Sequence, residues 1–295
     1  MSLPRPETIL RQWERLQKGD LGMTHEKHAA ILSIPIEVYK ARLTHAIKMR
    51  EQQPYFSLGQ PLKLSGDWII IGDVHVPFTD LDWLDLMLQV AKKHLQYPKL
   101  LIAGDLLNMD VFSKYPHLTS TPTWQQERDM ARAMFDAFWD TFQEVAIIMG
   151  NHERRAQRFT SGAFDEVDIF SLLTTNAKLV SSNYGWCTID TPTGEWRVTH
   201  PTNYSVNQLN VLDTLANKFC QNVIGFHEHH LSIGWDRFGR HVIVNGGCLV
   251  DPEKLAYVSL DDSRSAGMKQ GFVMLRAGVP YIFGKSPITD WAKWL

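Results

Sequence analysis

Between residues 73 and 229 the chain carries five short motifs rich in metal-binding side chains. They are Asp73-Val74-His75, Gly104-Asp105, Gly150-Asn151-His152-Glu153, Thr199-His200 and His227-Glu228-His229. Carboxylate, amide oxygen and imidazole suit first-row divalent ions better than they suit metals that prefer thiolate. The donors are too many for one ion. Two ions about 3.5–4 Å apart, bridged by one carboxylate, would use them all, and such a pair clamps a phosphoryl oxygen and activates water for attack on phosphorus.

The elements that must position these groups are legible around them. Trp68–Ile71 is a continuous apolar run, as a buried strand requires. It is followed by a predicted helix over Leu81–Leu95, a strand at Leu100–Ala103, a helix over Thr123–Phe142 behind Pro122, and a strand at Val145–Met149. That alternation argues for a sheet with helices packed on it. Further strands are expected at Trp196–Thr199, Asn222–Gly225, Leu231–Trp235, His241–Val244, Gly271–Leu275 and Tyr281–Phe283, with a helix near Ser205–Phe219. Each motif ends one of these strands. Sites in open α/β sheets lie outside the carboxyl ends of strands, so five strand ends converge on one edge.

In this order and spacing the motifs resemble those of the calcineurin-like metallophosphoesterases, over residues 67 to about 250. Any single motif is weak, whereas five in order, each behind an apolar strand, are specific. The resemblance implies an α/β (α+β) fold: a four-layer β-sandwich flanked by helices. It implies a first metal on Asp73, His75, Asp105 and His229, and a second on Asp105, Asn151, His200 and His227, with Asp105 as the bridge. Manganese is expected first, with iron, nickel, zinc or magnesium as alternatives. His152 would not bind metal; it would stabilise developing charge or protonate the leaving oxygen.

Three departures from the family pattern stand out. Asn108 occupies the place of a frequent Asp, and no Arg-Gly follows, which argues against the protein Ser/Thr phosphatase branch. Phe226 is inserted between Gly225 and His227, which makes His230 a substitute candidate for a ligand. Pro201 follows His200 where Gly is usual. Of the neighbouring charges, Arg154 and Arg155 are candidates for phosphate contact, since guanidinium matches phosphate oxygens in pairs. Arg158 lies on the same stretch, and a solvated or ion-paired loop face is the alternative for all three. Asp110 could orient His152 but reads more simply as a turn residue. Glu153 reads as a support to the ligands. Residues 106–126, with Tyr115, His117 and Trp124, and 159–170 are candidate pocket walls, whose aromatics could equally pack the core edge. His94 and His241 read as packing or surface histidines.

Residues 1–60 are expected to form a separate helical region, with the domain that resembles the phosphoesterases over 67–295 and a linker over 51–66. Helices are expected over Glu7–Leu16, His25–Leu32 and Ile36–Arg50, with Thr24 as a cap. Nine Lys/Arg against six Asp/Glu give residues 1–60 a net +3, leaving −5 on the rest of a chain whose total is −2. Ala29–Pro35 followed by Val38–Leu43 resembles a helix-turn-helix, with Lys40, Arg42, Lys48 and Arg50 able to meet phosphates. The alternative is a helical extension that packs on the enzyme or another subunit.

The expected function is hydrolysis of a phosphoric ester, a diester in preference to a monoester. His227-Glu228-His229 resembles the motif of repair nucleases, and the whole chain resembles stand-alone phosphoesterases of bacteriophages, so DNA is the first candidate substrate. A small-molecule phosphatase or nucleotide diesterase is the alternative, and a non-catalytic DNA-binding protein the second. Three scattered cysteines, Cys187, Cys220 and Cys248, with no CxxC, are expected to be buried free thiols in a reducing cytoplasm. No apolar run reaches the ~18–20 residues of a membrane helix, and no signal peptide is expected.

Overall fold

The computed structural model describes residues 9, 12–13, 23–52, 60–113, 122–255, 267–285 and 291–295. The chain divides into two units, residues 1–58 and 59–295. In the first, helices α1 (His25–Ile31) and α2 (Ile36–Gln52) follow one another across a short turn. Thr24 caps α1 by accepting from the Lys27 N–H. Ala29, Ile34, Tyr39 and Leu43 are buried together with Ile9. The buried Tyr39 hydroxyl meets His28 Nδ1 at 2.9 Å, which partners the two polar groups inside this small core. Most of the helix expected over Glu7–Leu16 lies outside the described residues, as do Tyr115 and His117.

The second unit is built on two six-stranded sheets. Its strands are β1 (Lys63–Ser65), β2 (Trp68–Ile71), β3 (Lys99–Ala103), β4 (Glu144–Ile148), β5 (Leu179–Ser182), β6 (Trp186–Thr191), β7 (Gly194–Thr199), β8 (Asn222–Gly225), β9 (Leu231–Trp235), β10 (Val242–Gly246), β11 (Gly271–Arg276) and β12 (Val279–Gly284). One sheet runs β12-β11-β2-β3-β4-β5 and the other β1-β6-β7-β8-β10-β9. Strands β2 to β5 are parallel, as are β7, β8 and β10. The remaining pairs are antiparallel except β1 with β6, so both sheets are mixed.

The two-residue period of a strand sorts the core. Trp68 and Ile70 join Leu101, Ala103, Ala146 and Ile148 in a layer shared with Ile189, Trp196, Val198 and Ile224 of the opposite sheet. Ile69 and Ile71 point the other way, toward Trp83, Met87, Phe135 and Phe138 of the helices α3 (Leu81–His94) and α4 (Trp124–Trp139). On the far side, helix α7 (Asn210–Phe219) sets Leu212 and Ala216 on Val223 and Ile243. Helix, sheet, sheet and helix make four layers, the fold class expected. Two short helices, α5 (Glu153–Phe159) and α6 (Glu166–Ser171), lie between β4 and β5.

Several boundaries differ from expectation for local reasons. The stretch read as a 51–66 linker contains the end of α2 and the edge strand β1, of which only Leu64 is buried. One buried residue gives no periodicity to detect. Strands β5 and β6 were not anticipated, because Leu-Val-Ser-Ser and the Thr-containing β6 lack an apolar run. The helix expected from Ser205 begins at Asn210: the Ser205 N–H is taken by Glu228, and Leu209 sits at φ 66°. Cys220 is exposed, unlike Cys187 and Cys248, because it ends α7.

Candidate active site and metal centre

Parallel pairing places the carboxyl ends of β2, β3 and β4 side by side in one sheet and those of β7 and β8 side by side in the other. All the sequence-predicted metal ligands arrive there. Among the described residues, three groups bring candidate ligand atoms close together: Asp73 with His75 and His229, His75 with Asp105 and His152, and Asp105 with His200 and His227. Asn151 joins the last through its amide oxygen, 3.2 Å from His200 Nε2. His230, the substitute candidate, is buried but outside all three groups.

The two carboxylates are set in the same way. One oxygen of each is fixed by a backbone N–H: Asp73 Oδ2 accepts from His227 at 2.7 Å, and Asp105 Oδ1 accepts from His152 at 2.9 Å. The other oxygen faces imidazoles. Asp73 Oδ1 lies 3.3 Å from His229 Nε2, 3.8 Å from His75 Nε2 and 3.9 Å from His200 Nε2. Asp105 Oδ2 lies 3.2 Å from His200 Nε2, 3.8 Å from His152 Nε2 and 3.9 Å from His75 Nε2. Asp73 Oδ1 is fully buried without a hydrogen-bond partner. A buried, unpartnered carboxylate oxygen facing three ring nitrogens is costly unless a cation completes it. The donor set fits divalent metal.

Charge follows the same logic. Burial alone would raise Asp73, but His229 and His200 outweigh it and hold the carboxyl down at about 2. Burial alone would lower His200, but Asp105 and Asp73 push it up to about 10. His75 is held well below its ordinary value by burial and by the adjacent His152. The pocket thus favours positive charge between its carboxylates while keeping His75 a neutral donor.

Residues around the ligands fix their orientation. Asn108 does so twice: its Oδ1 meets His75 Nδ1 at 3.2 Å, and its backbone carbonyl lies 2.7 Å from His152 Nδ1. Orienting partners of this kind select the tautomer of a ligating histidine. His200 Nδ1 is likewise held by the Ala103 carbonyl at 2.8 Å. Glu153 is fully buried and accepts from the N–H groups of Asp105, Leu107 and Gly150 at 3.1, 2.9 and 3.0 Å. Glu127, buried on α4, accepts from Met109 N–H at 2.8 Å and so holds the loop that carries Asn108. Sequence reasoning passed over Glu127. Its signal was a carboxylate on the apolar stripe that Ala131, Met134 and Phe138 continue.

The arginines divide. Arg154 is half-buried and donates to the Asn183 carbonyl at 2.6 Å. Arg155 donates to the Asn108 carbonyl and to Asp110 Oδ1, each at 2.9 Å, and its Nη2 lies 2.8 Å from His152 Nε2. Arg155 thus links Asp110 to His152. Arg158 donates to the Asn151 carbonyl at 3.2 Å. His94 contacts the Trp294 carbonyl and His241 contacts Asp236, both away from the ligands. Of the candidate walls, Trp124 and Phe164 pack against the core.

The inserted Phe226 is wholly buried in the layer between the sheets. A Cβ on Gly72 or Gly246 would come within 2.6 or 2.3 Å of its ring, so the insertion is matched by glycines on either side. His227 and His229 keep their spacing beyond it. A cavity of about 310 Å³ opens on this centre. It is lined by His75, Asp105, His152, His227 and His229, and beyond them by Tyr204, Glu228 and Met268.

The chain belongs to the calcineurin-like phosphoesterase family, whose model matches residues 68–253. With its buried His/Asp clusters, it is a metal-dependent phosphoesterase. No curated protein matches the sequence significantly. Among solved structures, the chain is similar to zinc-bound Vps29 of Entamoeba histolytica: 14% identity and a TM-score of 0.39 over 76% of this chain and 94% of that one. It is also similar to a predicted phosphoesterase of Streptococcus pneumoniae: 12% identity and a TM-score of 0.34 over 75% and 98%. A third is the cold-active protein-tyrosine phosphatase of a psychrophilic Shewanella: 11% identity and a TM-score of 0.35 over 77% and 83%. Among the described residues no helix is long and apolar enough to cross a membrane.

Proposed function

We propose that this enzyme hydrolyses phosphodiesters, with a DNA strand as the first substrate to test. The observation that carries this reading is the charge of the cavity wall. Among the described residues it is lined by imidazoles, carboxylates, Tyr204 and Met268, with no Lys or Arg. A phosphomonoester carries about −1.5 to −2 charges at neutral pH, a diester only one. With no Lys or Arg in the wall itself, Arg155 touching it at His152 Nε2, and with Glu228 in it, the wall suits the smaller charge.

We assign one divalent ion to Asp73, His75, Asp105 and His229 and a second to Asp105, Asn151, His200 and His227, with manganese first among iron, nickel, zinc and magnesium. Such a pair supplies charge neutralisation at the phosphoryl oxygens and acidifies water. The chain's own contribution is orientation and a proton. His152 donates from Nδ1 to the Asn108 carbonyl, which leaves Nε2 toward the cavity. In the proposed reaction Nε2 delivers a proton to the leaving oxygen. A proton there and the Arg155 contact exclude each other, since each would put a hydrogen between the same two nitrogens. Arg155 therefore leaves His152 when His152 is acidic, and it is then free to meet a phosphate oxygen. The paired helices α1 and α2 are our candidate for a DNA-contacting element; Lys40, on α2, lies 3.6 Å from Glu26.

The test is manganese-dependent cleavage of end-labelled single- and double-stranded DNA, with an aryl phosphomonoester in parallel. Diester cleavage is expected, reduced by about 10³-fold or more in Asp105→Asn and by about 10²–10⁴-fold in His152→Ala. Monoester turnover with intact DNA would overturn the diester reading.

A further inference from the structure

We infer that Tyr204 forms a stacking subsite for a planar group, such as a nucleobase, carried by the phosphodiester. The inference rests on the diester reading and names the part of the substrate that the metal ligands do not hold. Tyr204 lines the same cavity as the ligand side chains, yet the residue is 56% exposed. A large aromatic left half-open beside a phosphate-binding centre offers a face to a ligand instead of filling a core.

The loop that carries the ring is held in place by its surroundings. The N–H of Ser205, next to it, donates to Glu228 Oε1 at 2.8 Å. Glu228 sits between His227 and His229, and its other oxygen accepts from Asn245 Nδ2 at 3.0 Å. The Tyr204 loop is thereby tied to the very turn that delivers two metal ligands. Behind Tyr204 lies the buried His230, with ring centroids 6.3 Å apart. Met268 adds a polarizable apolar surface to the same cavity. Thioether sulfur suits contact with aromatic ligands of varied shape.

Size limits what can stack there. A cavity of about 310 Å³ lies at the small end of ligand pockets, about 300–1,000 Å³. It admits one nucleotide-sized group. Any polynucleotide would enter as a single unpaired residue or an end, and a free mononucleotide diester would fit the same subsite.

Two esters with the same leaving group test this: thymidine 5′-(p-nitrophenyl phosphate) and methyl p-nitrophenyl phosphate, hydrolysed by the manganese-loaded full chain. The expected KM is about tenfold or more lower for the thymidine ester, the worth of one stacked base. In Tyr204→Ala that ratio collapses toward one, and in Tyr204→Phe it is kept. Titration calorimetry with thymidine 5′-monophosphate and with inorganic phosphate reads the subsite without turnover. The nucleotide binds about tenfold or more tighter to the wild type, and the advantage is lost in Tyr204→Ala. A KM ratio that Tyr204→Ala leaves unchanged overturns the subsite while the diester reading stands. If neither ester is hydrolysed the diester reading fails, and the titration alone decides: an advantage lost in Tyr204→Ala upholds the subsite, and equal affinities for nucleotide and phosphate overturn it.

Discussion

Replacing Glu127 with Gln should change how stability depends on pH. Glu127 is buried on α4 with Oε1 on the Met109 N–H. Burial raises its carboxyl from an ordinary 4.5 to about 8; backbone donation from Met109 and Asn108 offsets part of this, while Asp110 and Glu153 add to it. The folded value lies above the unfolded one. The stabilising contribution of the protonated form is thus complete below about pH 4.5 and is lost progressively as pH rises to about 8. At about 1.36 kcal/mol per pH unit, the whole interval is worth roughly 5 kcal/mol, and the span from about pH 5.5 to 7.5 roughly 2–3 kcal/mol.

Gln keeps the shape and one acceptor oxygen but cannot ionise. Urea denaturation of the wild type and Glu127→Gln at both pH values isolates the effect, because other titrating groups cancel in the difference when distant. The wild type should lose roughly 2–3 kcal/mol relative to the variant between about pH 5.5 and 7.5. A difference independent of pH would falsify the idea that Glu127 is protonated across the neutral range. Glu127→Ala should cost a further 1–3 kcal/mol, roughly the penalty of leaving a buried N–H unpaired.

Two other perturbations separate packing from chemistry. Phe226→Ala empties the space between Gly72 and Gly246; a loss of about 3–5 kcal/mol in denaturant unfolding is expected, together with weaker metal retention, because His227 follows directly. Retention of wild-type stability would mean that the sheets close over the gap. Arg155→Ala removes the guanidinium from His152 and Asn108, so kcat/KM for a diester should fall by about 10²-fold through lost positioning. His152 is held down first by burial, against Asp105, and further by Arg155. If its acid form acts, loss of Arg155 moves the alkaline limb of the pH–rate profile upward, and an unmoved limb would remove His152 from the acid role.

Much of the site was legible because its ligands are chemically distinctive and follow apolar strands. Asp73, His75, Asp105, Asn151, His200, His227 and His229 each sit where a strand ends, and parallel pairing brings those ends together. The groups behind them were harder to find. Asn108 looked like a missing carboxylate, yet it uses an amide oxygen on His75 and a backbone carbonyl on His152. Only the second is independent of residue type, and no sequence pattern records it. Arg154 and Arg155 are neighbours in sequence but leave α5 in different directions, one to Asn183 and one to His152. Edge strands β1 and β5 escaped notice because they bury too few side chains to impose a period.

The spelling of the motifs has a steric cause that goes beyond ligand chemistry. Asp73, His75, Asp105, His227 and His229 all lie at positive φ, at 49°, 48°, 50°, 84° and 57°. Non-glycine residues there cost about 1–2 kcal/mol each, so the surrounding structure must impose the turns. It does so by lacing the motif loops together: the N–H groups of Val74 and His75 both donate to the Asp105 carbonyl, and that of Asp73 to the Gly104 carbonyl. The loops approach so closely that a Cβ on Gly104 would lie 2.7 Å from the His200 ring, and one on Gly150 would lie 2.0 Å from Asp105 Oδ1. Glu153 closes the lacing by binding N–H groups from both the Gly104-Asp105 and the Gly150-Asn151 loops. Glycine before Asp105 and Asn151 and glutamate after His152 are thus requirements of a centre whose ligands are held in place before any ion arrives, which is the condition for binding metal without folding around it.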